Sequence, residues 1–147
     1  MKKESLASFM LKEHGKIIAL LNEFKKNATG NNAKETFNAL KEKQDNHVFA
    51  EERAIIILNR EGRKFEEVVT ILRQHSEIHE ILTKIKENIT FETASFELIK
   101  KLLDLMKTHV KLENEKFYPH LDQRLGDDQK EAIMKNFHDV IIGNIRD

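Results

Sequence analysis

Apolar side chains recur every three or four residues through four long stretches of the chain, the spacing that places them on one face of an α-helix. Polar stretches that contain Gly30 and Gly62 separate the first three of these segments, and Pro119 marks an end or a bend of the fourth. The pattern predicts helices over about residues 4–27, 33–60, 64–89 and 92–118, and a shorter helix over about 127–143.

Long helices joined by short turns pack as antiparallel neighbours. We therefore predict an all-α fold, with an up-down-up-down four-helix bundle over about residues 4–119 and a short additional C-terminal helix. At 147 residues the chain is long enough to bury a core without disulfides, so we expect a single domain over residues 1–147.

The overall composition excludes several kinds of partner. Lys plus Arg number 25 and Asp plus Glu number 25, so there is no net charge to attract nucleic acid or an anionic membrane. No stretch is apolar over the length of a membrane span, and Glu4 and Lys12 interrupt the apolar residues near the N-terminus. We expect a cytoplasmic protein with no nucleic-acid or membrane partner.

The lack of cysteine excludes thiolate-bound zinc and iron–sulfur clusters.

Five of the seven histidines form a pattern with two glutamates. One histidine stands alone in the first predicted helix, and each of the next three helices carries two ligand-type side chains four residues apart, on one helix face. Counted from one end of the bundle, all of them lie at a similar height, roughly 9–22 Å along the helices. Imidazole and carboxylate groups suit iron, manganese and zinc. The sequence therefore predicts a metal site made of His14, His47, Glu51, His75, His79, His109 and Glu113.

This pattern resembles the hemerythrin family, whose fold is a four-helix bundle around a non-haem di-iron centre. The resemblance covers residues from about 10 to 120 and rests on the lone His14 and on the motifs HVFAE at 47–51, HSEIH at 75–79 and HVKLE at 109–113. It implies two iron ions joined by an oxo or hydroxo bridge and by the carboxylates of Glu51 and Glu113. By resemblance, one iron takes His75, His79 and His109, and the other takes His14 and His47. Manganese or zinc would accept the same ligands.

Ligand counting leaves one coordination position open, and the resemblance to oxygen-binding relatives implies that O2 binds at the iron held by His14 and His47. The best-known oxygen carriers place an aspartate five residues after the histidine of the fourth helix. This chain has Asn114 there and offers Glu113 at four residues instead. It is therefore more similar to the wider group of HHE cation-binding domains, which includes proposed sensors and proteins that handle nitric oxide or peroxide.

Three functions are compatible with this site. The first is a protein that binds O2, or a related diatomic or peroxide ligand, for sensing, delivery or buffering. The second is an enzyme, a di-iron oxidoreductase that turns over peroxide or nitric oxide. The third is a helical interaction domain that holds metal only for structure. The sequence favours the first and leaves the oligomeric state open. We expect His120 and His138 to lie outside the site. Tyr118 could form a hydrogen bond near the site or relay an electron, but we favour packing at a helix end.

Overall fold

A computed structural model describes residues 4–90 and 95–141. That part of the chain is helical and contains no strand, which confirms the predicted all-α class. Its elements are α1 (Leu6–Asn27), α2 (Ala33–Arg60), α3 (Glu67–Thr90), α4 (Phe96–Leu112), a π-helical segment (Glu113–Phe117), α5 (Tyr118–Arg124) and α6 (Asp127–Ile141). Residues 92–94 and 142–143, predicted to belong to the fourth and last helices, lie outside the described residues.

Local side-chain chemistry fixes where the helices begin. Ser5 and Ser95 cap α1 and α4 by accepting hydrogen bonds from backbone N–H groups of the first turns. The carboxylate of Asp122 also accepts from the backbone N–H of Leu6 at 2.8 Å and of Ala7 at 3.0 Å. The start of α1 is therefore attached to α5. The turn from α2 to α3 contains Gly62 at φ 74°, a left-handed conformation that favours glycine.

The fourth predicted helix does not end at about residue 118. Helical structure continues from α4 through the π-helical segment and α5 as far as Arg124. Pro119 lies in the first turn of α5, directly after the π-helical segment, where the hydrogen-bond pattern changes. The predicted end was therefore wrong by about six residues.

The helices surround one layer of polar side chains. Contacts join α1 to α2, α2 to α3, α3 to α4 and α4 back to α1, while α5 packs on α1 and α6 on α2. Two clusters of buried apolar residues lie on either side of the polar layer. Met10 and Ile71 belong to one cluster, and Ile17 and Ile78 to the other. His14 and His75 lie between them along α1 and α3. Burial of each large apolar side chain contributes about 1.5–3 kcal/mol, which offsets the cost of burying polar groups.

None of the helices in the described ranges is both long enough and apolar enough to cross a membrane.

Candidate metal centre

Six of the seven predicted ligands come together in the buried layer. Each is at most 5% exposed. In each of two groups of four residues, one ligand atom from every member lies within 4.8 Å of the others. The first group is His14, His47, Glu51 and Glu113, and the second group is Glu51, His75, His109 and Glu113.

The two groups share both carboxylates. Oε1 of Glu51 lies 2.7 Å from Nε2 of His75, while Oε2 lies 3.6 Å from Nε2 of His47. Oε1 of Glu113 lies 2.9 Å from Nε2 of His14 and 3.3 Å from Nε2 of His109. Each carboxylate therefore contacts one imidazole from each group, which is the arrangement needed to bridge two ions.

Three of the four imidazoles form a hydrogen bond at Nδ1, the ring nitrogen that does not contact Glu51 or Glu113. Nδ1 of His14 lies 2.8 Å from Oδ1 of Asn114, and Nδ1 of His109 lies 2.9 Å from Oε1 of Gln74. Nδ1 of His75 lies 2.8 Å from Oε2 of Glu52. Because each partner atom is an acceptor, Nδ1 carries the proton and donates it. Residues that accept a hydrogen bond from Nδ1 orient metal-binding histidines in this way, and they leave the lone pair of Nε2 to bind a cation.

The inward-facing atoms of the layer lack hydrogen-bond partners among the described residues. They include Nε2 of all four histidines, both oxygens of Glu113 and Oε1 of Glu51. Their contacts with one another are the nitrogen–oxygen ion pairs described above. A buried polar atom without a partner costs about 1–3 kcal/mol. Coordination of cations by these nitrogen and oxygen donors would remove that cost, so the residues fit a metal centre.

Protons balance the charges of this layer when no cation is bound. Burial alone would raise the pKa of Glu51, but contacts with Glu113 and two histidines hold that pKa well below its usual range. Burial and the charge of Glu51 raise the pKa of Glu113 well above its usual value. Burial lowers the pKa of His75, but the neighbouring carboxylates outweigh it and raise the value to about 9. Burial lowers the pKa of His109 to about 4. Metal binding must displace the protons held here.

The π-helical segment brings further residues to the layer. The backbone N–H of Tyr118 donates to the carbonyl of Glu113, five residues earlier, as in a π-turn. The buried phenol of Tyr118 donates a hydrogen bond to Oε2 of Glu51 at 2.5 Å. Burial and the adjacent carboxylates raise the pKa of this phenol well above its usual value, so it remains a donor. Of the two expectations for Tyr118, the structure therefore shows the less favoured one, a hydrogen bond at the site.

The seventh predicted ligand, His79, lies outside both groups. Its side chain is exposed and lines a cavity between α2 and α3 together with His75. His138 is exposed, and His120 is half-buried with Nδ1 3.4 Å from Oε2 of Glu67.

Sequence reasoning did not identify the partners Gln74, Glu52 and Asn114 as members of the site. Each lies directly beside a ligand in the chain or one helical turn from one, but only the packing of different helices shows which imidazole it reaches.

The helical fold and the two groups that share carboxylates define a protein with a candidate dinuclear metal centre. A family model described as the hemerythrin HHE cation binding domain matches residues 5–121, and the chain belongs to this family. Searches of curated proteins and of solved structures found no match.

Proposed function

We propose that this protein holds two iron ions, one in each group, and uses them to bind O2 or a related small molecule for sensing, delivery or buffering. The observation that supports this proposal is a set of buried histidine nitrogens and carboxylate oxygens that lack hydrogen-bond partners among the described residues. The nitrogens of both groups surround the same two carboxylates. A nitrogen and oxygen donor set without thiolate suits iron, and it also accepts manganese or zinc, which metal analysis distinguishes from iron.

We propose an up-down-up-down bundle of α1 to α4 as the scaffold of this centre, within a single domain that spans the chain. The supporting observation is the closed cycle of contacts among these four helices. In this arrangement every helix presents ligands to the interior, and α6 covers α2 from outside. Ligands on rigid helices keep their positions better than ligands on loops.

The residues of the chain prepare the centre in three ways. Asn114, Glu52 and Gln74 fix the rings of their histidines, so Nε2 points inward. The phenol of Tyr118 holds one oxygen of Glu51 in place. The apolar clusters on both sides exclude water and strengthen electrostatic interactions within the layer. When bound, a ferrous pair supplies two electrons and an open position for a small oxidant.

We include His79 as a seventh ligand, in the second group. It lies one helical turn after His75 and lines the same cavity, so we propose that a change of rotamer turns its ring toward His75 when metal binds.

Metal stoichiometry and the visible spectrum test the proposed function. Protein reduced without oxygen and then aerated is expected to contain two irons per chain. It should also gain absorption bands that reverse on deoxygenation. Iron that oxidises irreversibly would point to turnover, and protein that binds no redox metal would contradict the proposal.

Matched variants test the ligand set. His14→Ala and Glu113→Ala should lower bound metal sharply, because each removes a buried donor. The exposed His138→Ala should leave it unchanged. His79→Ala separates the two positions of its ring: weaker binding of one ion supports the ligand role, and unchanged binding of both ions removes His79 from the set.

A further inference from the structure

Gln44 of α2 is a buried polar side chain that the candidate metal centre does not use. It is 3% exposed, and among the described residues neither its amide nitrogen nor its amide oxygen has a hydrogen-bond partner. A buried amide is rarely left in this state, because hydrogen bonds to water are lost on folding and are not replaced. Gln44 is therefore expected to meet a partner in another state of the protein.

The side chain of Gln44 lines the cavity of about 440 Å³ between α2 and α3, and the ring of His79 lines the same cavity. Two carboxylates on its wall already have partners. Glu52 accepts a hydrogen bond from a histidine of the second group, and Asp45 pairs with Lys41 at 2.6 Å. Gln44 thus offers an unused acceptor oxygen beside the space into which a turned imidazole ring would move.

Three histidines of the metal layer share one feature, a side-chain oxygen that accepts a hydrogen bond from Nδ1. An amide oxygen has this role twice, in Asn114 for His14 and in Gln74 for His109. Partners of this kind fix the tautomer and the orientation of a metal-binding ring. If His79 is the seventh ligand, its Nδ1–H group needs such a partner once the ring has left water.

The register of α2 and α3 places Gln44 within reach of His79. Oε2 of Glu52 lies 2.8 Å from Nδ1 of His75, and in the proposed bundle the two helices run in opposite directions. Four residues forward along α3, from His75 to His79, therefore correspond to four residues back along α2, to Val48. Gln44 lies one further turn along α2, about 5 Å, a distance that a long side chain can cover.

We propose that Gln44 is the positioning residue of His79: when this ring turns into the cavity to bind the second ion, its Nδ1–H group donates a hydrogen bond to the amide oxygen of Gln44. The inference rests on the proposed function for the ligand role of His79. The hydrogen bond removes part of the cost of the buried amide and leaves Nε2 of His79 to the cation. Gln44 therefore favours the inward rotamer over the exposed one.

Gln44→Met separates this role from a purely structural one, because the two states of the protein should respond in opposite directions. The substitution keeps the length of the side chain and removes a buried amide without partners, so the metal-free protein should melt a few degrees higher. Zinc should bind the second group about 10- to 100-fold more weakly, because His79 loses its orienting partner. Val48→Ala is the control, since it changes the wall of the same cavity without removing a hydrogen-bonding group, and should leave zinc affinity unchanged. Lower stability of the metal-free Gln44→Met protein, or unchanged zinc affinity, would contradict the inference.

A double-mutant cycle identifies the histidine through which Gln44 acts. In the His79→Ala background, Gln44→Met should not weaken zinc binding further, because the ring that it positions is absent. An equal loss of affinity in both backgrounds would mean that Gln44 acts through another group, and the inference would be wrong. It would also be wrong if His79→Ala alone left the binding of both ions unchanged.

Nitrogen NMR of the histidine rings in the zinc-loaded protein observes the hydrogen bond itself. The Nδ1–H proton of His79 should exchange slowly with water in the wild type and in Val48→Ala, and rapidly in Gln44→Met. Rapid exchange in the wild type, or a wild type that binds no zinc, would overturn the inference. Because these experiments use zinc, they are separate from the test of the proposed function. Iron-loaded protein that fails to bind O2 reversibly would contradict that function and leave the role of Gln44 standing.

Discussion

Gln74 of α3 accepts a hydrogen bond from Nδ1 of His109 on α4, at 2.9 Å in a buried position. Gln74→Met keeps the length and much of the volume of the side chain but removes the acceptor. The Nδ1–H group of His109 is then buried without a partner, which costs about 1–3 kcal/mol. For a chain of this size, each kcal/mol lowers the melting temperature by roughly 2–4 °C. Loss of the orienting partner should also weaken metal binding by about 10- to 100-fold.

Competition with a chromophoric chelator measures the affinity, and thermal unfolding of the metal-free protein measures the stability. Arg73→Met is the matched control, since Arg73 is the neighbouring residue, its side chain is 67% exposed, and it forms a surface ion pair with Glu77. The control should change neither quantity appreciably. If Gln74→Met binds metal as tightly as the control, the orientation of His109 does not depend on Gln74 and the reasoning fails.

Three other predictions concern stability and protons. Asp122→Ala should destabilise the protein by about 1 kcal/mol in thermal unfolding, because the start of α1 loses its acceptor, whereas the exposed Asp104→Ala should not. Gly15→Ala should stabilise α1 by about 0.5–1 kcal/mol, since nothing lies within 4 Å of the added Cβ; Gly62→Ala, at φ 74°, should instead destabilise. His75, with its pKa raised from 6.5 to about 9, should release a proton on metal binding at neutral pH, measured calorimetrically in buffers of different ionisation enthalpy. Since the folded-state pKa is the higher one, the stability that this proton gives the metal-free protein is complete below pH 6.5 and is lost as pH rises through about 9.

Helical periodicity was sufficient to predict the class of fold and the level at which the ligands lie. His14, His47, His75 and His109 occupy four different helices, and helical rise alone predicted that they share one level. The structure brings these four together because the apolar residues on both sides of each one align the helices. Periodicity gives the face of a helix, but it does not give the rotamer of a side chain. The exposed position of His79 therefore could not be derived from its spacing to His75.

The π-helical segment lay beyond sequence reasoning for a different reason. Its residues, Glu113–Phe117, are compatible with an ordinary α-helix, and no residue type marks the change to i→i+5 hydrogen bonds. The consequence for the site is nevertheless large. In a regular α-helix Tyr118 lies more than a turn beyond Glu113, whereas the wider turn aligns it with the layer, where its phenol reaches Glu51.

Unpartnered donors in the layer imply that the chain is built around cations rather than for maximal stability without them. Without a cation, the layer must hold charged and polar atoms that find no hydrogen bonds, and protons partly balance them. The apolar clusters above and below offset this cost, which explains why a layer so rich in histidine and glutamate can remain at most 5% exposed. Coordination would satisfy the same atoms, so a bound cation would stabilise the folded chain.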